Sequence, residues 1–133
     1  MKEELKYNSG ELEQFARQNE VMLLILYGSR AEGTADESSD WDVAVMFQHN
    51  RRPQDWLRVF ANLQELFDRE LDLAEVSAHS DPLFRWEVFR NGIALFEDEP
   101  GRFDREFFAA QKIYWDTEKF RREEWEMIEE KYK

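Results

Sequence analysis

Residues 21–47 read VMLLILYGSRAEGTADESSDWDVAVMF. From Val21 to Tyr27 the chain is apolar or aromatic without a break and then meets Gly28, the pattern of a strand buried on both faces. The stretch 28–39, GSRAEGTADESS, is small, polar and glycine-bearing, and it predicts a loop with room for one helical turn. Residues 40–47, DWDVAVMF, alternate and then run apolar, as a second strand does.

Elements of both kinds extend outward from this unit. Before it, ELEQFARQN (11–19) puts Leu12, Phe15 and Ala16 on one side of a short amphipathic helix. After it, Pro53 suits the first position of a helix in which Trp56, Phe60, Leu63 and Phe67 recur at steps of four, three and four, ending near Asp68. LDLAEVS (71–77) predicts a third strand. Asp81-Pro82 reads as an N-cap and first helical position, opening a helix that Asn91-Gly92 closes. IALFE (93–97) is a short fourth strand, Pro100-Gly101 a break, and 103–131 one long helix or two with a bend. Strands alternating with helices predict an α/β domain with its sheet covered by helices. With no repeat and no linker, 1–133 is expected to form a single domain with a helical C-terminal segment over about 101–132.

Composition narrows the function. The chain has 133 residues and no cysteine, which excludes disulfides, thiolate zinc sites and cysteine nucleophiles. Its longest apolar run is too short to cross a bilayer, and its start lacks the apolar core of a signal peptide, so a cytoplasmic protein is expected. The net charge of -12 argues against direct nucleic-acid binding, which draws on Lys and Arg, and favours a cation or a basic protein as partner. The final helix carries Phe103, Phe107, Ala110 and Tyr114 as one stripe, with Phe108, Ile113 and Trp115 off it. A helix apolar on more than one face needs cover on more than one side, and the surplus points to a partner.

Three features converge between 28 and 72. Gly28-Ser29 follows the carboxyl end of a buried strand, where ligands gather in open α/β sheets; glycine admits a close phosphate and serine adds a donor. Asp40 and Asp42 flank Trp41, and strand alternation sends both carboxylates to one face and the indole to the other. Paired carboxylates are hard oxygen ligands suited to Mg²⁺ shared with substrate phosphates. The third strand offers Asp72 and Glu75, three residues apart, so only one of them faces the site. A third carboxylate can ligate a second cation or take a proton from an attacking hydroxyl. His49 and His79 read as surface groups, Trp41 as packing beneath the site, and Arg51-Arg52 as a solvated basic pair.

Gly28-Ser29, ten residues, then Asp40-x-Asp42 resembles the signature of nucleotidyltransferases of the DNA polymerase β type. Four fixed positions at these spacings recur by chance in about one chain of several hundred, so the order of strands around them adds weight. LILYGSRAEGT, SSDWDVAVMF, LDLAEVS and DPLFRWEVFRNGIALFE are similar to the minimal nucleotidyltransferase (MNT), MntA-type, antitoxins of HEPN–MNT toxin–antitoxin pairs, over about residues 11–97. The resemblance implies a small mixed sheet of the polymerase β-like fold, flanked by helices. It implies transfer of AMP from ATP to a tyrosine of a HEPN ribonuclease, which is thereby silenced. Asp40, Asp42 and Asp72 are then the catalytic and metal-holding carboxylates, for a pair of Mg²⁺ ions. Gly28, Ser29 and Arg30 are the nucleotide-binding residues. Asp72 is chosen over Glu75 because family members place an aspartate there. Glu32, Asp36 and Glu37 depart from the family by putting acid where relatives often carry arginine. Two other functions stand beside this one: an antitoxin acting by contact alone, and a nucleotidyltransferase for small molecules.

Overall fold

The computed structural model describes residues 9–49, 54 and 56–131. Its elements are α1 (Ser9–Gln18), β1 (Val21–Tyr27), α2 (Ser29–Glu32), β2 (Trp41–Phe47), α3 (Trp56–Gln64), β3 (Leu71–Glu75), α4 (Pro82–Arg90), β4 (Ile93–Glu97) and α5 (Arg102–Lys131). The four strands form one mixed sheet in the order β3-β2-β1-β4. β1 is antiparallel to β2 and to β4, whereas β2 and β3 are parallel. β1 is therefore central, and Leu23, Leu24, Ile25 and Leu26 are wholly buried, which explains its unbroken apolar run.

The sheet separates two cores. On one face, Leu24, Leu26, Trp41, Val43, Val45 and Leu71 pack with Leu12, Phe15 and Ala16 of α1 and Val59 and Leu63 of α3. On the other, Leu23, Ile25, Ala44, Met46 and Val76 pack with Val88 and Phe89 of α4 and Ala110 of α5. Gly92 is required where α4 turns into β4, because a Cβ there would run into the Val88 carbonyl oxygen and the Ile25 side chain. Asp81 caps α4, its carboxylate accepting from the amides of Leu83 (2.8 Å) and Phe84 (3.3 Å).

Two boundaries differ from the periodic reading. α3 stops at Gln64, short of Asp68, because the chain tightens there and Phe67 turns in against Trp41, ring centroids 5.2 Å apart. The Gln64 side chain bridges this turn to β3, donating to the Arg69 carbonyl (2.8 Å) and accepting from the Leu71 amide (2.7 Å). β3 ends at Glu75, although the Val76 amide still donates to the Val45 carbonyl (2.9 Å). Pro53, Arg51 and Arg52 lie outside the described residues. The C-terminal segment is one continuous helix, α5. Among the described residues, no helix is long and apolar enough to cross a membrane.

Candidate active site

The antiparallel pairing brings the end of β1 beside the start of β2, and the parallel pairing lays the start of β3 beside both. In register, Tyr27 stands opposite Asp42, and Asp42 opposite Asp72. Side chains of paired positions share a face, so Tyr27, Asp42 and Asp72 all point to the α4 and α5 side. Trp41 and Leu71 point to the other side, into the α1 and α3 core. Glu75 pairs with Val45 and takes that second face too, which separates it from the aspartates. Asp40 lies just ahead of β2 and is exposed.

The carboxylates act on one another. Asp42 is half-buried, and its pKa is raised above the ordinary 3.8 first by that burial, then by the charges of Asp72 and Asp40, and by a hydrogen bond with Asp72. The arrangement is therefore strained as a pair of anions and eased by a positive charge. Tyr27, half-buried beneath them, has its phenol pushed up to about 12, by burial and then by the charges of Asp42 and Asp72. Its ring meets Phe84 of α4 edge to face, centroids 6.3 Å apart, so α4 walls one side of the site.

Backbone geometry closes the other side. Gly28 has φ 74° and ψ −156°, a region essentially reserved for glycine, and it precedes the single turn of α2. A Cβ at this position would fall on the Asp42 carboxylate, with its Cγ at 3.1 Å. The glycine thus allows the turn to lie directly against the aspartate. Ser29 and Arg30 open α2, so their amides precede any intrahelical acceptor. The Gly28 carbonyl accepts from the amides of Ala31 (3.1 Å) and Glu32 (3.0 Å), and Gly33, left-handed at φ 81°, ends the turn.

Arg30 is placed apart from the carboxylates. Its guanidinium donates to the Ser39 carbonyl through Nη2 (2.6 Å) and Nε (3.1 Å) and lies over the Trp41 ring, 4.1 Å from the centroid. It pins the loop to the start of β2. Arg69 adds a second tie, donating from Nε to the Glu37 carbonyl (2.7 Å). The acidic loop is internally ordered as well: Asp36 accepts from the Ser38 amide (2.9 Å) and hydroxyl (2.7 Å), and these bonds hold its carboxyl below the usual range. Sequence reading missed both Tyr27 and Arg69. Tyr27 was hidden as the last residue of an apolar run, where only the register with Asp42 shows its role. His49 is exposed and 3.5 Å from Glu20, and His79 sits in the exposed turn after β3, so neither belongs to the site.

Among the described residues, no three acidic or imidazole side chains converge tightly enough to form a closed cation site by themselves. The donor set still fits Mg²⁺, which is commonly held by one or two carboxylates while phosphates and water complete its octahedron. Asp42 and Asp72 supply that pair.

Comparison with known proteins places this geometry. Residues 11–100 match the family model described as "Polymerase beta, Nucleotidyltransferase". A curated relative, the protein adenylyltransferase MntA of Aphanizomenon flos-aquae (strain 2012/KM1/D3), is 29% identical over 108 residues, covering 74% of this chain and 70% of the relative. Among solved structures, a toxin–antitoxin with AMP-PNP superposes with a TM-score of 0.71 at 18% identity, covering 91% of this chain and 98% of that one. A complex of tri-AMPylated Shewanella oneidensis HEPN toxin with MNT antitoxin gives 0.65 at 15% identity, covering 90% and 94%. These likenesses establish the shared fold.

Proposed function

The chain belongs to the polymerase β nucleotidyltransferase family, and on that premise we propose that it is the antitoxin of a HEPN–MNT pair, moving AMP from ATP to a tyrosine of its HEPN ribonuclease toxin. The observation that carries the proposal is the Asp42–Asp72 pair, set on one face of the sheet against a glycine-capped turn. The name of the curated relative supports protein as the acceptor. The solved relatives support a HEPN toxin and an adenine nucleotide.

Asp42 and Asp72, with Asp40 beside them, would hold Mg²⁺, which supplies charge neutralisation along the triphosphate. Gly28 lets the triphosphate approach the backbone, and the amides and hydroxyl at Ser29 point donors at its oxygens. Arg30 holds the loop on which that cradle rests; as a direct phosphate ligand it must first release Ser39. The toxin's tyrosine oxygen attacks the α-phosphorus in line, the bond to the bridging oxygen of the β-phosphate breaks, and pyrophosphate leaves. Asp72, the more exposed of the paired carboxylates, takes the phenolic proton. Tyr27, held neutral, walls the site and does not act as a base. The work is done in the cytoplasm, where ATP and a ribonuclease toxin meet.

The test is pyrophosphate release from ATP in the presence of the HEPN protein. Release that requires a divalent cation and an intact tyrosine on the toxin supports the proposal. Toxin silenced without release makes this protein an antitoxin that acts by contact alone.

A further inference from the structure

From Ile113 onward, α5 carries large apolar residues that the domain does not cover. Tyr114 itself is engaged, stacked on Trp86 with centroids 5.6 Å apart. By contrast, Ile113, Phe120 and Met127 are 37%, 62% and 72% exposed. They recur every seven residues and so form one narrow row along one face of the helix, a single apolar position in each two turns. A second row runs beside it at a constant offset of three: Asp116, Glu123 and Glu130, all exposed, with Asp116 already paired to Lys112 at 3.1 Å. Residues 115–131 hold seven acidic against four basic residues, on a chain whose net charge is -12.

The acidic row decides the occupant. Two copies of a chain of net charge -12, each with acids beside this row, repel one another, which disfavours self-pairing. A helix carrying basic residues beside its own apolar row meets both rows at once. We infer that the Ile113–Phe120–Met127 row is the docking seam for such a helix on the toxin, which α5 holds while the sheet end modifies it. The inference rests on the toxin reading given above and adds the surface and its chemistry. α5 is fixed on α4 by the Arg85 Nη2–Glu106 contact at 3.3 Å and by the stacking of Tyr114 on Trp86.

The experiment uses the full chain and a HEPN-domain protein from the same organism, with affinity measured by titration and mass in solution by light scattering. The double variant F120E/M127E changes exposed positions only, and circular dichroism with the thermal shift on adding ATP and Mg²⁺ reports an intact fold and site. The expected result is at least tenfold weaker binding of the HEPN protein, with the nucleotide shift unchanged. The charge variant D116K/E123K should weaken binding severalfold and flatten its salt dependence. Wild-type binding that F120E/M127E leaves within twofold overturns the seam while leaving the toxin reading in place. A wild-type chain that dimerises alone and is made monomeric by F120E/M127E also overturns it, because the row then joins copies of this chain. No binding by the wild type removes the toxin reading, and the seam's occupant with it.

Discussion

Asp42 and Asp72 face each other across the parallel ladder of β2 and β3, and the charge of Asp72 adds to burial in raising the Asp42 pKa. Folding presses two like charges together at the open end of a sheet, with Asp40 close by. Such a cluster costs stability unless a cation joins it, so its chemistry and its thermodynamics can be tested together.

Asp42→Asn and Asp72→Asn should each lower AMP transfer by at least ~100-fold, the scale of losing a positioned metal ligand or proton acceptor. Glu75→Gln should leave transfer near the wild-type rate, because Glu75 occupies the opposite face. Loss confined to Glu75→Gln would reassign the third carboxylate.

The raised pKa of Asp42 sets a sign for pH dependence. Between the ordinary 3.8 and its higher folded value, the native state binds more protons than the unfolded state, so stability falls as pH rises through that window. Above it the penalty is fully present. At neutral pH, Asp42→Asn should therefore melt no lower than wild type, and Mg²⁺ should raise the wild-type Tm more than the variant's. Melting curves at several pH values, with and without Mg²⁺, check both statements.

Gly28→Ala should cost ~1–3 kcal/mol from backbone strain alone, since φ 74° with ψ −156° disfavours any Cβ. Activity should fall further than stability, because the added methyl displaces the Asp42 carboxylate. Denaturant unfolding set beside transfer rates separates the two effects.

Arg30→Lys should fail to replace arginine. An ammonium neither reproduces the two-nitrogen contact with the Ser39 carbonyl nor stacks as well on Trp41. Stability should drop by about 1 kcal/mol, and amides 36–40 should exchange faster with solvent. Unchanged exchange there would remove the loop-anchoring role.

Tyr27→Phe should retain activity within about threefold and an unchanged pH–rate profile around neutrality, because the phenol stays protonated up to about 12. In an alkaline spectral titration of the wild type, a tyrosinate component rising toward pH 12 should be lost in Tyr27→Phe. Stability should fall as pH rises from 10 toward 12, where the folded state holds a proton that the unfolded state has released.

The order of strands and helices was legible because each strand is short, apolar and bounded by glycine, proline or polar residues. Val21–Tyr27 and Asp81-Pro82 are the clearest instances. Positions that depend on contacts distant in sequence were not. The end of α3 is set by Phe67 and Asp68 meeting Trp41, whose Nε1 donates to the Asp68 carboxylate at 2.9 Å, a contact invisible to helical periodicity. The spacing of Gly28, Ser29, Asp40 and Asp42 marked the candidate site, and alternation put Asp72 and Glu75 on opposite faces. That Asp72 and not Glu75 shares a face with Asp42 followed only from the parallel pairing of β3 with β2. Arg30, adjacent to the glycine-serine pair in sequence, turns back onto the loop because the Ser39 carbonyl and the Trp41 ring lie within its reach.

The central claim is that this chain is a protein adenylyltransferase whose site is built on Asp42 and Asp72. Its most direct test is the intact mass of the HEPN protein co-expressed with the wild type and with Asp42→Asn. The account predicts AMP-sized increments with the wild type and none with the variant. A HEPN protein that is bound and silenced by both versions, with no added mass, would contradict it.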